Sequence, residues 1–174
     1  MVRNDAPRFG TAGLSDSFRA GGGKTPEDIA AFTASFGLTA FEYQCGRGVR
    51  IQDARAAALG AACAGRDIAL SVHAPYYISM SSLEEDKRLH SIDYLLQSCA
   101  AVRAMGGRRV IFHPGSCGRQ SRENALDKAL DTMHRAVAGG GAPRLGAGIH
   151  CHANMGDVQQ KGPRGALVGP WGPA

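Results

Sequence analysis

Ile68-Ala69-Leu70-Ser71-Val72-His73-Ala74-Pro75, answered farther along by Arg109-Val110-Ile111-Phe112-His113-Pro114-Gly115, is the stretch that decides the fold. Each short apolar run leads straight into a histidine, with a proline directly or one residue behind it. Runs of this length and apolarity suit buried strands. Between them Ile92, Leu96 and Cys99 recur at helical spacing, and Gly106-Gly107 closes the pattern. Ser82-Leu83-Glu84-Glu85 reads as a capping box that opens this helix. Strand, helix and strand make a parallel β-α-β unit. Both histidines then fall at equivalent positions at the carboxyl ends of neighbouring strands. That rim is where α/β folds keep their chemistry.

The same rhythm extends in both directions. Upstream, residues 8–11 make a first strand and residues 12–24 a loop rich in Gly and Ser. Thr25 caps a helix with Pro26 at its first position, Ile29, Phe32 and Phe36 give its apolar face, and Gly37 stops it. Residues 39–43 make a second strand, and the alanine-rich run 52–64 a helix ending at Gly65. Downstream, residues 121–137 form a helix with Leu126, Leu130, Met133 and Val137 on one face, and residues 148–152 can form a fifth strand. Strands alternate with helices as in a (β/α) barrel or a doubly wound sheet. A closed barrel takes eight units and roughly 250 residues. The expected fold is therefore α/β, with about four β/α units and a fifth strand over residues 1–160. Residues 161–174, KGPRGALVGPWGPA, carry four glycines and three prolines and read as an irregular tail.

The totals narrow the class. A chain of 174 residues with 44% apolar content suits one folded domain. A net charge of +5 permits a polyanionic partner without establishing one. Five scattered cysteines, at 45, 63, 99, 117 and 151, with no C-x-x-C pair, argue against a disulfide framework and a zinc finger. Reduced thiols in a cytoplasmic protein fit best. No run approaches the roughly 18 apolar residues that span a membrane, so no membrane partner is expected.

Four histidines are the candidate metal ligands. His73 and His113 sit on the rim, and imidazole suits zinc, although a catalytic zinc takes about three protein ligands. Each can equally cap its strand and hydrogen-bond locally. His150 and His152 alternate on the fifth strand and so share a face. Their pairing can also be coincidence in an irregular stretch. Glu42, near the end of the second strand, is a candidate supporting acid for the site, or the partner of a buried cation. Tyr76 and Tyr77 follow His73 on a rim loop, where an aromatic ring can stack on a base or sugar or simply cover the barrel mouth. Gln44 and Arg47 lie in the loop after the second strand and can hold a phosphate, a solvated loop being the default. Ser116 has no G-x-S-x-G elbow around it, and the early glycines form no G-x-G-x-x-G loop.

The run SVHAPYYISM (71–80) followed by VIFHPGSCG (110–118) resembles the endonuclease IV family of apurinic/apyrimidinic endonucleases, within the xylose-isomerase-like barrel superfamily. RFGTAGLSDSF (8–18) and AFEYQCGRGV (40–49) resemble its archaeal and clostridial-type branch. The resemblance covers residues 8–137, about three quarters of the chain and about the first half of a family barrel. It implies a partial TIM barrel and a zinc-dependent cut of the phosphodiester at abasic sites in DNA, in base excision repair. A complete family site holds three zinc ions. The resemblance implies His73 and His113 as zinc ligands, Tyr76 as a minor-groove probe, and Gln44 and Arg47 as DNA contacts. In the family a bridging glutamate ends strand five. Here His152-Ala153-Asn154-Met155-Gly156 stands there, with Ala153 in the glutamate's place. Further ligands come from later family strands. The tail then reads as the product of truncation or a frame slip, and the chain as weakly active or inactive. A metal-dependent sugar isomerase or epimerase of the same superfamily is the alternative function. A non-catalytic half-barrel that binds or dimerises through exposed sheet edges is another.

Overall fold

A computed structural model describes residues 7–139 and the backbone of 148–151. It is a partial (β/α)8 TIM barrel. The elements run β1 (Gly10–Ala12), α1 (Asp16–Ala20), α2 (Pro26–Ser35), β2 (Ala40–Gln44), α3 (Asp53–Ala64), β3 (Ala69–His73), α4 (Glu85–Ala104), β4 (Arg109–Phe112), α5 (Arg122–Gly139) and β5 (Gly148–Cys151). The five strands form one sheet in sequential order β1-β2-β3-β4-β5, every neighbouring pair parallel. Strand alternation divides that sheet. Phe41, Val72, Val110 and Phe112 are buried against the helices, with Ala56, Leu59, Cys63, Leu95 and Val102 facing them. The opposite face carries Glu42, Gln44, Ser71 and His73, polar groups that are half-buried or exposed.

Local chemistry sets the helix starts. Thr25 Oγ1 accepts from the Asp28 amide while Asp28 Oδ2 accepts from the Thr25 amide, a full capping box. Backbone amides hold the Asp28 carboxyl below its ordinary pKa, the Lys24 amide most strongly. The loop expected over residues 12–24 holds a short helix instead: Ser15 caps α1, and Phe18 buries its ring edge-on to Phe32, 5.4 Å between centroids. One apolar side chain in a polar run is too weak a periodicity to mark that turn. The Ser82 box also fails. Ser82 Oγ accepts the Glu84 amide two residues on, and α4 starts at Glu85 with no side-chain cap.

Two apolar faces differ from expectation. Phe36, at the end of α2, is 65% exposed. In α5, Ala125, Thr132 and Ala136 are buried, while Leu126 and Val137 lie outside at 52% and 60% exposure. Alanine and threonine let α5 approach the rest of the fold closely; of the expected stripe, Met133 packs against the core while Leu126 and Val137 fall to the flank. The four described cysteines, Cys45, Cys63, Cys99 and Cys117, form no disulfide. Among the described residues no helix is long and apolar enough to cross a membrane. His152, Ala153 and the 161–174 tail lie outside the described residues.

Candidate functional site

The site grows from the ends of β3 and β4. His73 closes β3, and His113 follows β4 directly. They are not equivalent in register. His73 pairs with Ile111, so His113 stands two residues farther out, about 6.6 Å along the strand. Strands tilted around a barrel axis are staggered in this way. The rings nonetheless meet, with centroids 5.1 Å apart and planes inclined at 50°. Gln44, His73, Ile111 and His150 form one row across four strands. His150 therefore takes a register position in the row of His73.

His73 Nδ1 lies 3.0 Å from the Ala74 carbonyl oxygen. A carbonyl only accepts, so in this contact Nδ1 is the donor, which leaves Nε2 as the nitrogen that could meet a metal. That is the second bond that orients ligating histidines. The His73–His113 pair thus fits part of a zinc donor set. It is not a complete one: among the described residues no three His, Cys, Asp or Glu side chains converge. Glu42 is turned to its neighbour strand, where Ser71 Oγ donates to Glu42 Oε2 at 3.4 Å.

Beside the histidines stands an aromatic ledge. Tyr76 and Tyr77 are 55% and 51% exposed, with ring centroids 4.7 Å apart. Arg47 Nε donates to Tyr76 Oη at 3.3 Å, which joins the loop after β2 to the loop after β3. The Tyr77 hydroxyl and then the Arg47 guanidinium hold the Tyr76 phenol below its usual pKa, and the Tyr76 partner raises that of Tyr77. Gln44 is exposed one strand away. A cleft of about 410 Å3 opens between ledge and rim, lined by Tyr76, Tyr77, Ile78, Ser79, His113, Gly115 and Ser116.

Ser79 and Gly115 carry no signal in the sequence that marks them for this cleft. Gly115 has φ +111°, and a Cβ there would stand 2.9 Å from Ser81 Oγ and 3.0 Å from Ser79 Oγ. The Pro-Gly pair after His113 was the only hint, and it signals a turn without naming what packs against it.

A family model described as the xylose isomerase-like TIM barrel matches residues 30–157. The chain belongs to this family. A probable endonuclease 4 of Mycoplasma pneumoniae is 33% identical over 67 residues, 38% of this chain and 23% of that protein. An uncharacterized protein of Methanocaldococcus jannaschii is 30% identical over 133 residues, 74% of this chain and 44% of that one. Among solved structures, endonuclease IV from Thermus thermophilus aligns over 75% of this chain and 48% of its own, with a TM-score of 0.51 and 22% identity. A 3-keto-D-glucoside 4-epimerase from E. coli aligns over 82% and 54%, with a TM-score of 0.60 and 13% identity. At those identities the two structures speak for the fold. The resemblance to endonuclease IV read from the two histidine motifs recurs among both the relatives and the structures. The chain spans less than half the length of these two curated relatives.

Proposed function

We propose that this chain is the first half of an endonuclease IV-type, zinc-dependent endonuclease acting at abasic sites in DNA, with its place in cytoplasmic base excision repair. The observation that carries the reading is the approach of His73 to His113, 5.1 Å between rings, with Nδ1 of His73 committed to a backbone carbonyl. His73 and His113 would hold the metal; His150, at a register position in the row of His73, and His152 are the further candidates. Zinc would supply Lewis-acid polarisation of a phosphate oxygen. The chain's own residues do the rest. Arg47 and Gln44 meet the phosphate backbone, and Tyr76 lies against the exposed sugar or base. Glu42 with Ser71 supports the row from one pleat step below. The chain's charge of +5 suits a polyanion. Among the described residues two candidate ligands converge, fewer than a catalytic zinc takes, and on this reading cutting by the chain would be weak.

The test is zinc content after gel filtration, beside binding and nicking of a duplex with one abasic site. Zinc retained by the wild type and lost in a His73→Ala/His113→Ala variant supports the reading. No zinc and no preference for the abasic duplex overturns it.

A second reading, a metal-dependent sugar isomerase or epimerase, is favoured by the broadly open cleft that brings Tyr76, Tyr77 and Ser79 beside His113. Binding of a ketohexose in preference to abasic DNA would replace the first reading with this one. A dimerising half-barrel is favoured by the exposed flank of α5 and by the outer positions that β1 and β5 take in the sheet among the described residues. A monomer in light scattering across the micromolar range would discard it.

A further inference from the structure

Residues 74–84, the segment between β3 and α4, behave as a strap. Most of its polar backbone is tied. The Ala74 amide donates to the Ile111 carbonyl at 2.8 Å and the Met80 amide to the Pro114 carbonyl at 2.7 Å. Ser81 Oγ donates to the Ser116 carbonyl at 2.8 Å. These bonds run from the segment that follows His73 to β4 and to the loop beyond it, which carries His113. Ile78 and Met80 are buried at 3% and 0% exposure, whereas Tyr76 and Tyr77 stand out into the cleft.

Two buried hydroxyls hold the strap from behind. Thr132, on α5 and 0% exposed, lies with Oγ1 2.8 Å from the Met80 carbonyl and 2.8 Å from the Lys128 carbonyl of its own helix. It has one proton to share between them. Ser91, on α4 and 1% exposed, accepts the Ser79 amide at 2.8 Å and donates to the Lys87 carbonyl at 2.6 Å. A Ser or Thr hydroxyl inside a helix satisfies itself on the carbonyl four residues back. Neither helix needs the hydroxyl for that purpose. What each adds is a second bond, across to the strap. The continuous path is Thr132 Oγ1 to the Met80 carbonyl, then through the Met80 backbone to its amide and the Pro114 carbonyl, one residue from His113.

We propose that Thr132, seconded by Ser91, is a positioning residue for the rim: it fixes the strap that sets His113 against His73 and holds the tyrosine ledge beside them. A buried carbonyl left unpaired at Met80 would pull the strap toward water. Motion there passes to Pro114 by the shortest hydrogen bond of the path. The proposal rests on the ligand reading of His73 and His113 only where zinc affinity is the readout.

The test compares wild type, Thr132→Val, Thr132→Ser and Ser91→Ala in the full chain. Valine keeps the shape and removes the hydroxyl, and serine restores the hydroxyl. Amide exchange at Met80, Val72 and Val110, ring cross-peaks of His73 and His113 by NMR, and zinc affinity by titration are measured together. The expected result for Thr132→Val is about tenfold faster exchange at Met80, with Val72 and Val110 unchanged. The His113 ring signals move, and zinc affinity falls about tenfold, as for other removals of supporting groups. Thr132→Ser returns all three to wild-type values. Thr132→Val with unmoved His113 signals and wild-type exchange at Met80 overturns the proposal. So does uniform acceleration at all three amides, which marks plain destabilisation. If Thr132→Val does not fold, Ser91→Ala takes its place with Ser79 exchange as the readout: faster exchange there with moved His113 signals supports the proposal, and no change in either overturns it. If the wild type binds no zinc, the ligand reading fails, and exchange with ring signals still decides the role of Thr132.

Discussion

His73 and His113 are out of register by two residues, His73 being paired with Ile111, and their rings still lie 5.1 Å apart. One histidine comes from a strand end and the other from the loop beyond the neighbouring strand, and their side chains span that offset. On the proposed reading a single imidazole would bind zinc poorly, and the pair would supply the rim's affinity. His73→Ala and His113→Ala, each alone, should lower zinc affinity at least about tenfold. Equilibrium dialysis against buffered zinc measures it. A single variant with wild-type affinity would show that the contact is only packing.

Arg47 is the cation tied to the ledge, through its bond to Tyr76. Arg47→Ala should weaken binding to abasic duplex and reduce the salt dependence of the binding constant by roughly one phosphate contact. Tyr76→Phe removes the acceptor and leaves the ring, so it should keep most of the affinity. Fluorescence anisotropy at several salt concentrations separates the two. An unchanged salt slope in Arg47→Ala would take Arg47 off the DNA.

Gly115 is held by both its backbone and its surroundings. At φ +111° a side chain is strained, and Ser79 and Ser81 leave no space for a Cβ. Gly115→Ala should cost about 1–3 kcal/mol of stability. Gly118→Ala, at φ +55° with open space around it, should cost only about 1 kcal/mol. Urea denaturation of both gives the difference. Equal costs would mean that the two serines yield easily.

Burial pushes the thiols of Cys45 and Cys63 up to about 11 from an ordinary 9.0. The folded state therefore keeps protons that the unfolded chain releases. Stability from these groups is whole below pH 9 and falls as pH rises from 9 toward about 11. Denaturation midpoints measured across that window should decline. Thiol labelling at pH 8 should modify the half-buried Cys117 well before Cys45 or Cys63, and the reverse order would refute the burial argument.

On α5 the buried face is built of small residues. Leu126→Lys and Val137→Lys should change stability by no more than about 0.5 kcal/mol, since both positions are exposed. Ala136→Leu, at 4% exposure, should cost about 1–3 kcal/mol by overpacking. Thermal melts of the three variants check the pair of statements. A stripe that dimerises would show itself as a concentration-dependent melt lost in the lysine variants.

The sequence by itself determined the alternation of strands and helices and the carboxyl-end placement of His73 and His113. Those features follow from short-range pattern: apolar runs of strand length, a Thr25-Pro26 start, and glycines at Gly37, Gly65 and Gly106 that stop helices. It also carried the family, because the two histidine motifs are contiguous in the chain. Other features needed the tertiary structure. Of the stripe Leu126, Leu130, Met133 and Val137, Met133 does pack on the core while Leu126 and Val137 stay outside, because spacing fixes which residues share a face and not where on it the neighbouring layer falls. Ser82 looked like a cap until Arg88 and the Glu84 amide claimed its carbonyl and hydroxyl. The strap was invisible because its bonds join residues 52, 39, 35 and 12 positions apart, and no local rule relates Thr132 to Met80, Gln120 or Ser116 to Ser81, or Ser91 to Ser79. Register was invisible for the same reason. The pairing of His73 with Ile111, two residues short of His113, is set by how β3 and β4 pack side by side under their helices, and neither motif states it.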